Sequence, residues 1–287
     1  MENVGDLIGR GFRTWMGNLN LCIPYLLDVV LSLLIIVPIT AAFAGSFAPL
    51  ENLNMTGVED VQEQFPILMD TLPALIGAFL LLIILLSLIS AFFISGAIGM
   101  ARQALETGEA TLGAMWSSGR KNFVNMFLTN IIAGIITVAG LLFLIPGMVL
   151  LPRPLQPEPQ AMGLLLIGFI LLILYALVIS LVLAAAPYAL VVGSTGPIEA
   201  VRASVKFFSY NKFDVFVIWL VILAISLGLQ MIGGAISTGN SGVFQPLPIL
   251  TGVVNLLVLS PLSTVWWTRL YMDRTGKLTD IGDRDLW

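Results

Sequence analysis

The sequence predicts an all-α polytopic membrane bundle of six transmembrane helices, with three amphipathic helices lying along one membrane surface. Three observations predict it. Of 287 residues, 58% are hydrophobic and only 10% charged, where a soluble domain carries about 25% charged residues. Six apolar stretches are each long enough to cross about 30 Å of hydrocarbon as a helix. With those stretches laid out as crossings, twelve of the thirteen Lys and Arg residues fall on one side. No stretch alternates with period two, which disfavours an outer-membrane barrel.

The crossings are expected at 21–47, 75–100, 123–151, 161–192, 215–236 and 247–270. Residues 1–272 then form one domain and 273–287 a polar tail. Before the first crossing, Val4, Leu7, Ile8, Phe12, Trp15 and Met16 share one helical face, with Asp6, Arg10 and Arg13 elsewhere. Ala42-Phe43-Ala44 resembles a signal-peptidase site, but the apolar run before it exceeds the 7–15 residues of a signal-peptide core, so an uncleaved helix is expected. Cys22, the single cysteine, reads as a small buried hydrophobe.

Ala91, Ser95 and Gly99 stand four apart on the second crossing, a small-residue stripe suited to close helix packing. A second amphipathic segment runs from Thr111 to Lys121, with Leu112, Met115 and Trp116 apolar. The third is the clearest: Ile198, Val201, Val205 and Phe208 make one stripe, and Glu199, Arg202, Lys206 and Ser209 the other. Pro197 suits its first turn and Glu199 its positive end. Asn18 and Asn20, Asn122 and Asn211 close the three segments. The rhythm of interfacial helix, Asn elbow, crossing out and crossing back suggests three parallel repeats of one hairpin.

The basic residues orient this bundle. Arg10 and Arg13; Arg102, Arg120 and Lys121; Arg202, Lys206 and Lys212; and Arg269, Arg274, Lys277 and Arg284 share one side, opposite Arg153 alone. Both termini are therefore expected in the cytoplasm of a prokaryotic plasma (inner) membrane. The first outer loop, 48–71, is acidic, with Glu51, Glu59, Asp60, Glu63 and Asp70. It carries a sequon at Asn54-Met55-Thr56. Trp15, Trp116, Tyr210, Trp266, Trp267 and Tyr271 fall near the inner boundary, as an interfacial belt does. The bases are too thinly spread to suggest nucleic acid.

There is no histidine. That removes Ser-His-Asp hydrolysis, zincin chemistry and imidazole ligation of haem or copper. No Walker A loop or pair of intramembrane aspartates is present. No catalytic residue, cofactor or metal site is expected, and the chain is not expected to be an enzyme.

Several short motifs point to a family. Ile145-Pro146-Gly147-Met148 closes the third crossing and Ala186-Pro187-Tyr188 lies in the fourth. Glu199-Ala200-Val201-Arg202-Ala203-Ser204 and Tyr210-Asn211-Lys212 follow. The chain resembles a six-helix family of archaeal and bacterial inner-membrane proteins, related to the membrane domain of glycerophosphodiester phosphodiesterases. Its elbow departs from that pattern, with Tyr210 in place of Gly. The resemblance implies a fold and topology. It implies no activity, because the phosphodiesterase site of those enzymes belongs to a separate soluble domain.

Polar residues at membrane depth are the functional candidates. Asp28 is the one carboxylate well inside a crossing, and Asn130, Gln230 and Asn255 could line a polar path with it. The alternative is structural: Asp28 paired with Arg13 or a bundle hydroxyl or amide, and the amides joining helices at about 1 kcal/mol each. Two function classes follow. One is a non-catalytic scaffold, lipid-interacting protein or partner subunit, with membrane lipids, a protein partner or a second copy as partner. The other is a small transporter built around Asp28.

Overall fold

A computed structural model describes residues 2–44, 58–150, 159–237 and 251–278. Of the expected features, residues 48–57 of the first outer loop with its sequon, Arg153, residues 247–250 and Arg284 lie outside the described residues; the rest of that expected loop, 58–71, is helical. The side chains of Glu59, Asp60, Glu63 and Asp70 also lie outside what is described.

The described chain is all-helical. Helix α1 spans Val4–Gly17, with Asn3 accepting a hydrogen bond from the Gly5 amide at its N-cap. A 3₁₀ turn, Leu19–Cys22, leads into α2, Ile23–Ala42. Helix α3, Val58–Thr107, is 50 residues long. It ends at Gly108, whose positive φ of 84° suits a residue without Cβ. Helix α4, Leu112–Val138, continues through the 3₁₀ turn Ala139–Leu144 into the short α5, Ile145–Val149. Helices α6, Pro159–Leu183, and α7, Ala186–Gly193, form one path with a break between them. Helix α8, Pro197–Tyr210, precedes α9, Lys212–Ser237. The described chain closes with residues 251–254, the π-helical turn Asn255–Leu259 and α10, Ser260–Arg274.

Among the described residues five paths are long and apolar enough to cross a membrane: Leu19–Ala42, Thr71–Thr107, Leu112–Val149, Pro159–Gly193 and Lys212–Met231. The described part of the sixth expected crossing, 251–270, is helical but not among them. From Ser260 onward it carries Ser263, Thr264, Thr268 and Arg269, and most of that length is buried in protein. The second amphipathic segment also differs from expectation. It is the first part of α4, unbroken at Asn122. Extensive packing against α3 keeps the backbone continuous, and Asn122 bonds to the turn behind it instead of ending the helix.

The core sits at one end of the bundle. The C-terminal part of α3 and all of α7 and α10 pack against one another and hold most of the buried side chains, among them Ala91, Ile98, Met100, Leu190, Val265 and Leu270. Around them α1 packs on α10, α4 on α3, and α8 on α6 and α7. Each of these contacts uses the residue seven before an elbow Asn. Gly11 lies against Trp266, where a Cβ would fall 2.5 Å from the indole. Met115 lies against Gly96, and the Ser204 hydroxyl donates to the Val182 carbonyl at 2.7 Å. Trp266 Nε1 also donates to the Ile8 carbonyl at 3.0 Å.

The three Asn side chains make one shared local bond. Asn18, Asn122 and Asn211 each donate to the carbonyl four residues back, at 3.1, 3.0 and 3.0 Å. Asn18 further ties α1 to the loop after α3, donating to Gly108 O at 2.9 Å and accepting from Ala110 N at 2.7 Å.

Candidate functional site: a polar cluster inside the bundle

Three helices are interrupted at the same place. Pro24 opens α2 after the 3₁₀ turn, Pro187 opens α7 after the break, and Pro261 opens α10 after the π-helical turn. Proline lacks an N–H, and the first turn of a helix is where that loss matters least. Just past each proline stands a hydroxyl-bearing side chain: Tyr25, Tyr188 and Thr264. The hydroxyls of Tyr25 and Thr264 share a hydrogen bond, and Tyr188 lies close to both. Tyr188 also stacks on Trp267, with ring centroids 6.1 Å apart and planes at 24°. Below them Cys22 Sγ donates at 3.0 Å to the carbonyl of Leu257, inside the π-helical turn.

Asp28 is nearly one turn beyond Tyr25 on α2. Ser90 of α3 lies within hydrogen-bonding range of its carboxyl. Its Oδ1 is enclosed by protein and accepts no hydrogen bond. Arg13 is exposed, and Asp28 makes no ion pair among the described residues.

The other three sequence candidates stand apart from this cluster in their bonding. Asn255 begins the π-helical turn, half-buried, and its carbonyl accepts from Ser260 Oγ at 3.1 Å. Asn130 is half-buried on α4 and Gln230 is exposed on α9. Sequence reasoning missed Tyr25, Tyr188, Thr264 and Ser90. The available signal was Pro-Tyr at both 24–25 and 187–188. The cluster is a set of hydroxyls, with the Asp28 carboxyl nearly one turn further along α2 beside Ser90. Among the described residues no group of three or more Cys, Asp or Glu is placed to hold a metal ion.

A second polar assembly sits at the packed end. Glu2 accepts from Arg269 Nε at 2.9 Å and Nη2 at 2.6 Å, and from Arg10 Nη1 at 3.0 Å. Arg274 donates to Asp214 at 2.7 Å, to the Glu2 carbonyl at 2.9 Å and to Asp273. Asp273 in turn accepts from the Glu2 amide at 3.1 Å. The network joins α1, α9 and α10. Burial alone would raise the Glu2 carboxyl, but its bonds and charge attraction to Arg269 and Arg10 outweigh that and hold it below the usual carboxylate value. Sequence reasoning did not single out Glu2, because ion pairing 267 residues apart leaves no local pattern.

Comparison with known proteins places this architecture. The family model described as "Domain of unknown function (DUF7847)" matches residues 24–268. The chain belongs to that family. The match begins at Pro24, where α2 starts, and ends at Thr268 of α10, so it takes in the whole polar cluster and excludes α1. The chain is also 22% identical over 297 residues to an "Uncharacterized protein" from Archaeoglobus fulgidus, covering 96% of this chain and 97% of that one. No solved structure matches.

Proposed function

We propose that this DUF7847 member is a non-catalytic scaffold of a prokaryotic plasma membrane that engages lipid, or a partner subunit, through its cytoplasmic end. One observation carries the reading. Six residues before each elbow Asn, an apolar side chain points out of the bundle: Phe12, Trp116 and Val205, exposed by 42%, 60% and 43%. Each stands on a segment whose other faces meet protein or water. Amphipathic helices of that kind lie in the headgroup region with the apolar face inward. Spin labels at Val205 and Arg202 test it: a lipid-soluble quencher should reach the first and not the second. Equal quenching removes the interfacial placement.

The finer topology belongs to the same reading. Residues 247–270 form a sixth crossing, and both termini are cytoplasmic. After removal of Cys22, a cysteine at position 60 should react with an impermeant reagent in intact cells and one at 205 should not; the reverse inverts the bundle. The shared Asn bonds and the matching contacts at Gly11, Met115 and Ser204 support three hairpin repeats closed into a ring. Kinship with the membrane domain of glycerophosphodiester phosphodiesterases rests on the Ile-Pro-Gly, Ala-Pro and Ala-x-x-x-Ser motifs.

One observation favours the second class, a small transporter. Asp28 Oδ1 is buried without a partner, beside three interrupted helices, and broken helices are how many transporters build sites. The experiment that separates the two is flux in proteoliposomes. On the scaffold reading the wild type and Asp28→Asn both stay at background. A proton- or cation-driven flux that Asp28→Asn abolishes in a folded protein replaces the scaffold with a transporter.

A further inference from the structure

Apart from Lys277, whose ammonium donates to the Val192 carbonyl at 3.0 Å, the described cations at the packed end fall into two populations. Arg10, Arg102, Arg269 and Arg274 are paired with Glu2, Glu106, Asp214 and Asp273. Arg13, Arg120, Lys121, Arg202, Lys206 and Lys212 are exposed and make no ion pair among the described residues. The remaining described acids nearby, Asp6, Glu109 and Glu199, make no ion pair with them; Glu109 is exposed in the loop after α3. Glu199 is turned to the Gly196 amide at 3.4 Å, capping α8, and Asp6 is exposed on α1.

We infer that these six unpaired cations form a binding surface for the phosphate-bearing headgroups of anionic lipids. This deepens the interfacial reading and rests on it. Arg13 directly follows Phe12, Lys206 directly follows Val205, and Arg120 stands four residues after Trp116, one helical turn away. If the three apolar side chains enter the acyl boundary, the cations beside them stand at headgroup depth, where their stems lie along apolar surface and their charges reach outward. Basic residues in a cytoplasmic loop need only be on the right side of the membrane. These are also held at a fixed height by helices that are themselves bonded to the core, through Ser204 to Val182, through Ser118 to Ser95 at 2.7 Å and through Trp266 to Ile8. A lipid is favoured over a soluble acidic partner because cation and apolar anchor are interleaved at all three segments. A headgroup and its chains match both at once.

Native mass spectrometry of the full chain, exchanged against phosphatidylglycerol and phosphatidylcholine in detergent, tests the proposal. Wild type should retain phosphatidylglycerol preferentially, and the preference should shrink with rising salt. Each cation removed should weaken it about fivefold, the factor corresponding to about 1 kcal/mol per basic residue near an anionic surface. Arg202→Gln with Lys206→Gln should therefore lower it about 25-fold. Arg202→Lys with Lys206→Arg should leave it intact, which controls for folding. Equal retention of both lipids by wild type, or an unchanged preference in the Gln pair, overturns the proposal. Displacement of bound lipid by inorganic phosphate alone makes the surface a free-anion site, and displacement by polyglutamate makes it a protein-docking face; either overturns it. A flux through Asp28 would instead remove the scaffold reading and leave the lipid preference as measured.

Discussion

Gly11, Gly96, Gly99 and Gly119, at the packed end, each lie where an added Cβ would collide with a neighbour: Trp266, Met115, Ser118 and Phe92 respectively. Gly77, Gly134, Gly163 and Gly228, further along the same helices or their neighbours, have nothing within 4 Å. The glycines thus set a tightly fitted end against a distal half whose apolar helices are largely exposed. The exceptions are Gly9 and Gly17, on the exposed side of α1 with nothing within 4 Å, and Gly140, Gly147 and Gly168, where residues 139–149 meet α6. Lipid tails are as apolar as leucine, so separating helices from lipid gains little at mid-membrane. At the interface, water and headgroups make burial favourable and hydrogen bonds specific. Tight packing is concentrated where the surroundings reward it.

The largest test of that contrast is Glu2→Gln. Breaking a buried ion pair by removing one partner costs about 3–5 kcal/mol, and Arg269 and Glu2 side chains are only 11% and 13% exposed. Thermal unfolding in detergent should fall accordingly; a loss below about 1 kcal/mol, the scale of a surface pair, would show that the packed end does not depend on this clamp. The same group has a pH signature. A depressed carboxylate stabilises the fold above its unfolded pKa, and that contribution disappears as pH falls through the folded value. Wild type should lose stability through the acid range more steeply than Glu2→Gln. Parallel curves would assign the acid loss elsewhere.

Next comes a matched pair. Gly99→Ala should destabilise by about 1–3 kcal/mol through overpacking against Ser118. Gly77→Ala should be neutral or stabilising by up to about 1 kcal/mol, since Ala is the better helix former and the space is open. Equal effects would erase the division between the two halves. The smallest effects are at the elbows. Asn122→Ala and Asn211→Ala should each cost about 1 kcal/mol, whereas Asn18→Ala should cost more, having two further bonds to the 108–110 loop. A reversed order would mean that Asn18 does not anchor that loop.

Much of this was readable in the residues. Five of the six crossings read from the apolar runs correspond to paths long and apolar enough to span a membrane, and the stripe on 197–209 marked α8 to within a residue, because amphipathic period and proline placement are local signals. The elbow asparagines were visible too, though not that Asn122 would leave α4 unbroken. Continuity there depends on packing against α3, which no window of sequence reports. Asp28 was legible as an outlier in an apolar run. Its neighbour Ser90, and the Tyr25, Thr264 and Tyr188 hydroxyls, were not, since ordinary hydroxyls acquire meaning only when distant helices bring them together. Glu2 was silent for the same reason.

The clamp between Glu2 and α10 also orders events during synthesis. Arg269, Asp273 and Arg274 follow Glu2 in the chain by more than 260 residues. Until they are made, the Gly11 groove has no Trp266 to fill it and Glu2 has no Arg269. Helix α1 must therefore wait for α10 before it can dock, and the turns around Arg269 and Arg274 act as its latch.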